Sequence, residues 1–245
     1  MSDTISTQPQ KPALLLLPNV LGDVKHHEAF LPASVDKAVA TLDGLIAESA
    51  SAGRRFLGRF ATKKPANDIP IALFNEHTPD SDIDFLLEPI RKGERWGLIS
   101  DGGLPCIADP GAKLVRRATA SGIIVQAFVG PSSLMLALML SGLLCQRFYF
   151  AGYLDKEPQR RGAEIKELQR RSKVEDSVQM MIEAPYRNKH LLDSLLNTLD
   201  GSTYLSVAWD LTLPTQGVMT QTVEQWKKSP LPNLEKKPAI FLFKT

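Results

Sequence analysis

Residues 100–111 read Ser-Asp-Gly-Gly-Leu-Pro-Cys-Ile-Ala-Asp-Pro-Gly. The apolar run Trp96-Gly97-Leu98-Ile99 precedes them and predicts a buried strand, and residues 112–118 follow with one apolar face, which predicts a helix. A loop rich in glycine, proline and aspartate between a strand and a helix is where open α/β sheets bind ligands. A tight turn with helix caps explains the same residues, so the loop alone leaves both interpretations open.

The chain before Gly130 alternates between the patterns of strands and helices. Apolar runs predict strands at 13–17, 45–47, 69–74, 96–100 and 123–129. Apolar residues at helical spacing predict helices at 31–45, 52–60 and 82–92. Such alternation predicts a parallel sheet with right-handed crossover connections.

The pattern changes after Gly142, where an aromatic-rich segment begins. Strands are predicted at 147–153, 178–183, 204–209 and 239–243, and helices at 132–144, 164–171 and 188–199. We therefore expect an α/β protein of two domains, 13–130 with a parallel sheet and 131–245 with a mixed sheet. A disordered tail is expected at 1–12, because that segment is polar and has no signal-peptide pattern.

Composition excludes several classes of protein. The 245 residues contain no apolar run near the roughly 20 residues that span a bilayer, so we expect no membrane partner. Two cysteines are too few for a disulfide framework, which favours the reducing cytoplasm. Four histidines without metal-ligand spacing predict no metal site.

The formal net charge of +2 is weak evidence for nucleic-acid binding, but the cations are clustered. The first basic block comprises Arg54, Arg55, Arg59, Lys63 and Lys64. The second comprises Lys156, Arg160, Arg161, Lys166, Arg170, Arg171 and Lys173. Solvated helix faces explain both blocks, and phosphate contacts with RNA explain them as well.

Short motifs follow one another in a fixed order. They are Leu-Pro-x-x-Leu-Gly-Asp at 17–23, the loop at 100–111, Val-Gly-Pro-Ser-Ser at 129–133, Ser-Gly-Leu at 141–143, Arg-Phe-x-Phe-x-Gly-Tyr-Leu at 147–154 and Glu-x-Pro-x-Arg at 183–187. Together they resemble the tetrapyrrole methylase superfamily, the class III S-adenosylmethionine-dependent methyltransferases. Within it, the likeness is to the rRNA-processing branch that methylates a cytidine ribose 2′-oxygen in small-subunit rRNA.

The resemblance implies a homodimer of two-domain chains, with the cofactor S-adenosylmethionine in a cleft between the domains. The cofactor-binding residues that it implies are Pro18, Gly22, Gly102, Gly103, Leu104, Pro105, Ile107, Ser132, Ser133, Ala184, Ala208, Pro238 and Ala239. Asp101 is a further candidate, because a carboxylate attracts the cationic sulfonium or amino group; a turn cap explains it equally well.

A ribose hydroxyl is a poor nucleophile, so a nearby proton acceptor would help. Glu48, Glu76, His77 and Glu183 are the candidates, and the sequence does not choose among them. The rRNA enzymes carry Glu-Asp-Thr-Arg where this chain has Glu48-Ser49-Ala50-Ser51, and Ala-Gly-Thr-Pro where it has Gly102-Gly103-Leu104-Pro105. We also expect a short form without their C-terminal helical extension.

These departures keep two alternatives open. One is a methylase of a tetrapyrrole or another small molecule, although the chain lacks the glycine-rich first loop of the porphyrin type. The other is a non-catalytic relative that retains the fold and binds the cofactor.

Overall fold

The computed structural model describes residues 11–245. The tail predicted at 1–12 lies outside the described residues, apart from positions 11 and 12. The described chain forms two compact units. The first unit contains residues 11–20 and Val24–Pro131, and the second contains Leu21–Asp23 and Ser132–Thr245.

The first unit is built on a parallel sheet whose strand order is β3-β2-β4-β1-β5. Its strands are β1 (Ala13–Leu16), β2 (Gly44–Ala47), β3 (Ile71–Leu73), β4 (Arg95–Leu98) and β5 (Val125–Ala127). In the register, Leu14 pairs with both Trp96 and Val125. This confirms the predicted parallel sheet.

Helices α1 (Ala33–Val39), α2 (Ala50–Leu57), α3 (Ile83–Arg91) and α4 (Gly111–Ala120) belong to this unit. Neighbouring residues of a strand point to opposite faces of the sheet. Accordingly, Leu15 packs in a core with Phe56 of α2, while Leu14 packs in a second core with Leu87 of α3 and Leu114 of α4. Both faces of the sheet are buried, as parallel sheets require.

The second unit is built on a mixed sheet whose strand order is β6-β7-β10-β8-β9. Its strands are β6 (Phe148–Tyr153), β7 (Val178–Ile182), β8 (Tyr204–Trp209), β9 (Gly217–Thr222) and β10 (Ala239–Lys244). Only the β6–β7 pair among these is parallel. The expected α/β architecture, with a parallel sheet and a mixed sheet, is therefore confirmed.

Helices α5 (Ser133–Ser141), α6 (Pro158–Glu175), α7 (Asn188–Thr198) and α8 (Val223–Trp226) cover this sheet. Leu168 of α6 and Leu195 of α7 pack in one core with Phe241, and Ala137 of α5 packs in another with Ile240. Since Phe241 and Ile240 are adjacent in β10, α5 lies on the opposite face of the sheet from α6 and α7.

Helix α6 extends well beyond the predicted 164–171. The Glu157 carboxylate accepts hydrogen bonds from the Gln159 and Arg160 N–H groups, and Pro158 occupies the first helical position. These start signals lie outside the stretch whose charge pattern predicted the helix. Strand β9 and helix α8 were not predicted, because β9 is a polar edge strand and α8 is only one turn, set by the Thr222–Gln225 capping box.

No helix within residues 11–245 has the length and apolar character needed to cross a membrane.

Candidate functional site

The first unit brings the turns after β1 and β4 together. These strands are neighbours and parallel, so their carboxyl ends meet at one edge of the sheet. The Asn19 N–H donates to the Gly103 carbonyl at 2.8 Å, and the Gly103 N–H donates back to the Asn19 carbonyl at 3.1 Å. The 100–111 loop is thereby fixed to the Pro18–Asn19 turn.

Asn19 is a site residue that the sequence analysis missed. Its buried side chain donates from Nδ2 to the carbonyls of Ser100 and Asp101, each at 3.1 Å, and its Oδ1 accepts from the Val20 N–H. The only signal available was an asparagine immediately after a strand that ends in proline. Its partners are more than 80 residues away in the chain, so the sequence does not reveal them.

Glu48 follows β2 and reaches the same loop. Its Oε1 accepts a hydrogen bond from the Asp101 N–H at 3.2 Å. Burial raises the pKa of the Glu48 carboxyl above its usual range, and the nearby charges of Asp101, Asp109 and Glu76 raise it further, while the Asp101 hydrogen bond opposes them. A half-buried carboxylate with a raised pKa at a strand end is suited to accept a proton.

Asp109 shapes the second half of the loop. Its two carboxylate oxygens accept from the N–H groups of Cys106 and Gly111, both at 2.7 Å. Cys106 and Ala108 have φ values of +72° and +60°, which are uncommon for residues with a side chain. Burial, together with the Asp109 charge, raises the pKa of the Cys106 thiol to about 12, so this cysteine is not an activated nucleophile.

The candidates of the first unit differ in their exposure. Asp101, Gly102 and Ile107 are exposed and Leu104 is half-buried, so a ligand can contact them. Gly103, Pro105 and Pro18 are buried and shape the loop from within. Pro18 lies so close to Gly130 that a Cβ at Gly130 would be 2.1 Å from the proline ring, so only glycine fits there.

The second unit gathers its candidates at one edge of its sheet. Ile240 pairs with both Ile182 and Ala208, so the start of β10 lies between the ends of β7 and β8. Ala184, Pro238 and Ala239 adjoin these positions. Ala208 has no exposed surface and packs in the core with Ala137 and Leu138, so it can only support a ligand site from below.

Helix α5 begins at the two candidate serines. Ser132 is its N-cap, with a long 3.5 Å contact between its hydroxyl and the Met135 N–H. Among the described residues, the Ser133 hydroxyl has no hydrogen-bond partner. A helix start with a weak cap and a spare hydroxyl is suited to a carboxylate ligand.

The turn after β8 is a second feature that the sequence analysis missed. Asp210 and Thr212 have φ values of +50° and +72°, the latter a strained conformation for a β-branched residue. The Asp210 N–H donates to the Pro238 carbonyl at 3.1 Å, and the buried Asp210 carboxylate lies 3.2 Å from the Lys237 ammonium. The buried Thr212 Oγ1 has no partner among the described residues. Strain and an unpaired polar atom beside candidate residues are typical of functional sites.

Gly22, another candidate, contacts this turn. A Cβ at Gly22 would lie 2.8 Å from a methyl group of Leu213, so the close approach of the two segments requires glycine. No alternating or helical pattern marks the 210–213 turn, so the sequence does not predict it.

The remaining proton-acceptor candidates are less suited than Glu48. Glu76 and His77 are both highly exposed and contact each other at 3.6 Å. Glu183 is buried, its Oε1 accepts from the Ala184 N–H, and its Oε2 lies 3.0 Å from Nη2 of Arg187 without the alignment of a hydrogen bond. Both Glu183 oxygens thus face groups of the protein, which leaves this carboxylate less accessible to a substrate than that of Glu48.

Side chains that could hold a metal ion do not cluster anywhere in the described part of the chain: no group of three histidine, cysteine, aspartate or glutamate residues comes together there.

The basic blocks are largely occupied by contacts within the protein. Arg54 donates to the carbonyls of Ala66 and Ile69 at 2.6 and 2.7 Å, and Lys63 pairs with Asp43. In the second block, the Arg161 guanidinium is buried and bound to Ser194 and backbone carbonyls. Four further ion pairs join Arg160 to Asp155, Arg170 to Glu167, Arg171 to Glu175 and Lys173 to Asp200. The remaining exposed cations without an ion pair in these blocks, within the described residues, are Arg55, Lys64, Lys156 and Lys166.

Sequence comparison finds relatives that share one name. The chain is 31% identical over 183 residues to ribosomal RNA small subunit methyltransferase I of Xylella fastidiosa, which covers 75% of this chain and 64% of that protein. It is 29% identical over 200 residues to the Thermotoga maritima protein of the same name, covering 80% and 85%. The match to the Bacillus subtilis protein is 29% over 158 residues, covering 64% and 52%. The chain spans 52–64% of the length of the first curated relatives it matches. No protein-family model matches it.

Structure comparison gives the fold. The methyltransferase CobJ matches with a TM-score of 0.65 and 15% identity, covering 95% of this chain and 94% of that one. The cobalt precorrin-4 methyltransferase CbiF matches with a TM-score of 0.64 and 12% identity, covering 98% of each. The chain therefore has the fold of the tetrapyrrole methyltransferases, and its sequence resembles that of ribosomal RNA small subunit methyltransferase I.

Proposed function

We propose that this protein is an S-adenosylmethionine-dependent methyltransferase that acts on small-subunit rRNA at a ribose 2′-oxygen. The observation that carries the proposal is the 100–111 loop at the carboxyl end of β4. Asn19, Glu48 and Asp109 hold this loop in shape, while Asp101 and Gly102 stay exposed. The names of the sequence relatives support the choice of RNA.

The residues present fit the methyl donor. In the first unit, the exposed Asp101 carboxylate suits a cationic sulfonium or amino group. In the second, the start of α5 and the Ser133 hydroxyl suit a carboxylate, and the Ala184, Pro238 and Ala239 segments suit a flat adenine. We assign to donor binding the whole predicted set, in which Gly22, Gly103, Pro105, Pro18 and Ala208 act by close packing.

The donor, when bound, supplies an electrophilic methyl group. The protein's own contribution is to align donor and acceptor, which can lower the barrier by ~7–11 kcal/mol. We assign proton acceptance to Glu48, whose carboxylate takes the proton of the ribose hydroxyl as the oxygen–methyl bond forms. The Asp101 N–H fixes one Glu48 oxygen and leaves the other available for this proton.

The partners follow from the same proposal. RNA is the macromolecular substrate, and the cytoplasm is where small ribosomal subunits are found in bacteria. We also propose a homodimer. Its support in the structure is the exposed apolar side chains of α5 and the residues after it, namely Met135, Met139, Leu140 and Leu144. Light scattering at several protein concentrations tests the dimer, which Met139→Lys should weaken.

Methyl mapping of small-subunit RNA tests the proposed function. RNA from cells that lack this protein should lose one ribose methyl mark, and the wild-type chain should restore it. Calorimetry with the donor and its demethylated product gives a second readout, in which Asp101→Asn and Ser133→Ala should each weaken binding. Donor binding without a lost RNA mark would favour a small-molecule acceptor, and the absence of both would favour a non-catalytic relative.

A further inference from the structure

A small open cavity in the second unit is not part of the assigned donor site. Its volume is about 240 Å³. Its lining residues come from β6, from α6 and from the residue that follows β6, and they are Tyr149, Ala151, Tyr153, Leu154, Glu164, Glu167 and Leu168. Pockets for drug-sized ligands have volumes of roughly 300–1,000 Å³, so this cavity suits one flat fragment.

Two tyrosines give the cavity an aromatic surface. Tyr153 is 62% exposed and Tyr149 is 38% exposed. The Arg171 guanidinium lies over the Tyr149 ring, 3.8 Å from its centroid, and so covers one face of that ring. Tyr153 is therefore the more available ring for stacking, and exposed tyrosine rings of this kind stack on the bases of single-stranded nucleic acids.

Glu164 gives the cavity one open hydrogen-bond acceptor. Both oxygens of Glu167 already accept hydrogen bonds from Arg170. Glu164 uses Oε2 to accept from the Asp155 N–H at 2.9 Å, and among the described residues its Oε1 has no partner. A carboxylate oxygen binds groups that donate hydrogen bonds. The exocyclic amino groups of cytosine and adenine donate, whereas uracil has a carbonyl at the same position, which only accepts.

The cavity lining contains the carboxylates of Glu164 and Glu167 and no cation, so any contact with phosphates comes from cations elsewhere on α6. Arg170 and Arg171 lie on α6 beside the lining residues, and Lys166 is exposed on the same helix without an ion pair in the described structure. The surface pair between Arg171 and Glu175 is weak, so the Arg171 guanidinium remains able to contact a phosphate while Arg170 stays on Glu167.

We propose that this cavity binds a single unpaired nucleobase that carries an exocyclic amino group. The base stacks on Tyr153 and donates its amino hydrogen to Glu164, while the cations of α6 contact the flanking phosphates. This inference rests on the proposed function, because RNA is the substrate assigned there, and it adds the surface that distinguishes one base from another.

Fluorescence anisotropy with the 245-residue chain, without added methyl donor, tests the site. The probes are labelled single-stranded oligocytidine, oligoadenosine and oligouridine of equal length. Wild-type protein should bind the first two about 5- to 100-fold more tightly than oligouridine. Tyr153→Ala should weaken binding to oligocytidine and oligoadenosine by a similar factor. Tyr204→Ala, which removes another exposed tyrosine of this unit, should leave binding unchanged.

Glu164→Gln separates stacking from base selection. Glutamine can still accept from the Asp155 N–H and presents an amide to the base. The amide N–H can donate to the uracil carbonyl and cannot accept from an exocyclic amino group, so the preference of the variant for cytosine and adenine over uracil should disappear or reverse. Equal binding of all three oligonucleotides by wild-type protein would overturn the proposal, as would equal effects of Tyr153→Ala and Tyr204→Ala.

Two further outcomes keep this inference distinct from the proposed function. A change of oligomeric state in Tyr153→Ala, with oligonucleotide binding intact, would identify the surface as an interface between copies and overturn the nucleobase site. Base preference without any lost rRNA methyl mark would contradict the proposed function and leave this site standing. A lost rRNA methyl mark without base preference would support the proposed function and overturn the nucleobase site.

Discussion

Glu48 makes both the stability of the protein and the proposed reaction depend on pH. Its pKa is raised in the folded protein, chiefly by burial, so the folded state binds this proton more tightly than the unfolded state does. The carboxyl therefore costs no stability below its unfolded pKa. The cost appears as pH rises through that value and is complete above the higher folded pKa.

We expect Glu48→Gln to lower the methylation rate about 10²- to 10⁴-fold at neutral pH, because the proton acceptor is lost. The wild-type rate should fall as pH drops through the raised pKa, and that acid limb should vanish in the variant. The variant should be slightly more stable than wild type at neutral pH and equal to it in acid. Single-turnover rates and thermal midpoints across pH measure both effects, with Glu235→Gln, at an exposed glutamate of the second unit, as the control. A full rate in Glu48→Gln would remove Glu48 from the chemistry.

Thr212 carries a stability cost within the turn after β8. Its buried hydroxyl lacks a partner in the described structure, and an unpaired buried polar group costs about 1–3 kcal/mol. Thr212→Val keeps the shape and removes the hydroxyl, so the free energy of unfolding should rise by up to about that amount. Urea denaturation measures it.

Thr215→Val is the matched control, because Thr215 is exposed and lies two residues after this turn. It should leave stability unchanged. If the strained turn serves donor binding, Thr212→Val should also weaken donor affinity while it stabilises the protein. A destabilised Thr212→Val would mean that the hydroxyl is paired, and would remove this reason for placing the turn in the site.

Helix α2 is held by a cap at its first turn and by an arginine near its end. Ser49 occupies the position at which the family resemblance implies an aspartate. In the structure its hydroxyl accepts a hydrogen bond from the Ala52 N–H and caps α2. This cap fixes where the helix begins, and the preceding residue, Glu48, contacts the 100–111 loop. Arg54, further along α2, binds the carbonyls of Ala66 and Ile69 and so holds the segment before β3.

Arg54→Ala should therefore lower the free energy of unfolding by about 2–4 kcal/mol, because two charge-assisted hydrogen bonds to carbonyls are lost. Arg55→Ala, one residue away and exposed, should change stability by less than about 0.5 kcal/mol. Denaturant titrations of the two variants make the comparison. Equal stability in both would show that the Arg54 contacts are not maintained in solution.

The sequence predicts the elements of the sheets better than the contacts between loops. Strands β1 and β8 are predicted from their own residues, because a buried strand requires a local run or alternation of apolar side chains. Asn19 and the turn at Asp210–Leu213 could not be predicted. The Asn19 partners are distant in sequence, and a β-branched Thr212 with positive φ contradicts the local preference of its residue type.

The charge of the chain limits how strongly it could bind the proposed RNA substrate. The formal net charge is +2, and most cations of the two basic blocks bind partners within the protein. Four exposed cations of these blocks have no ion pair within the described residues. If each neutralises one phosphate of a single strand, the logarithm of the binding constant should fall with the logarithm of salt concentration with a slope of about −3.

Anisotropy titrations with a small-subunit RNA fragment over a series of salt concentrations measure this slope. Arg55→Gln and Lys64→Gln should each reduce its magnitude by about 0.7, because one phosphate contact is lost in each variant. Lys227→Gln removes an exposed cation at the end of α8, outside both blocks, and should leave the slope unchanged. Equal slopes in all three variants and wild type would place the phosphate contacts elsewhere. A wild-type slope far steeper than −3 would show that paired cations such as Arg170 exchange their carboxylates for phosphates when RNA binds.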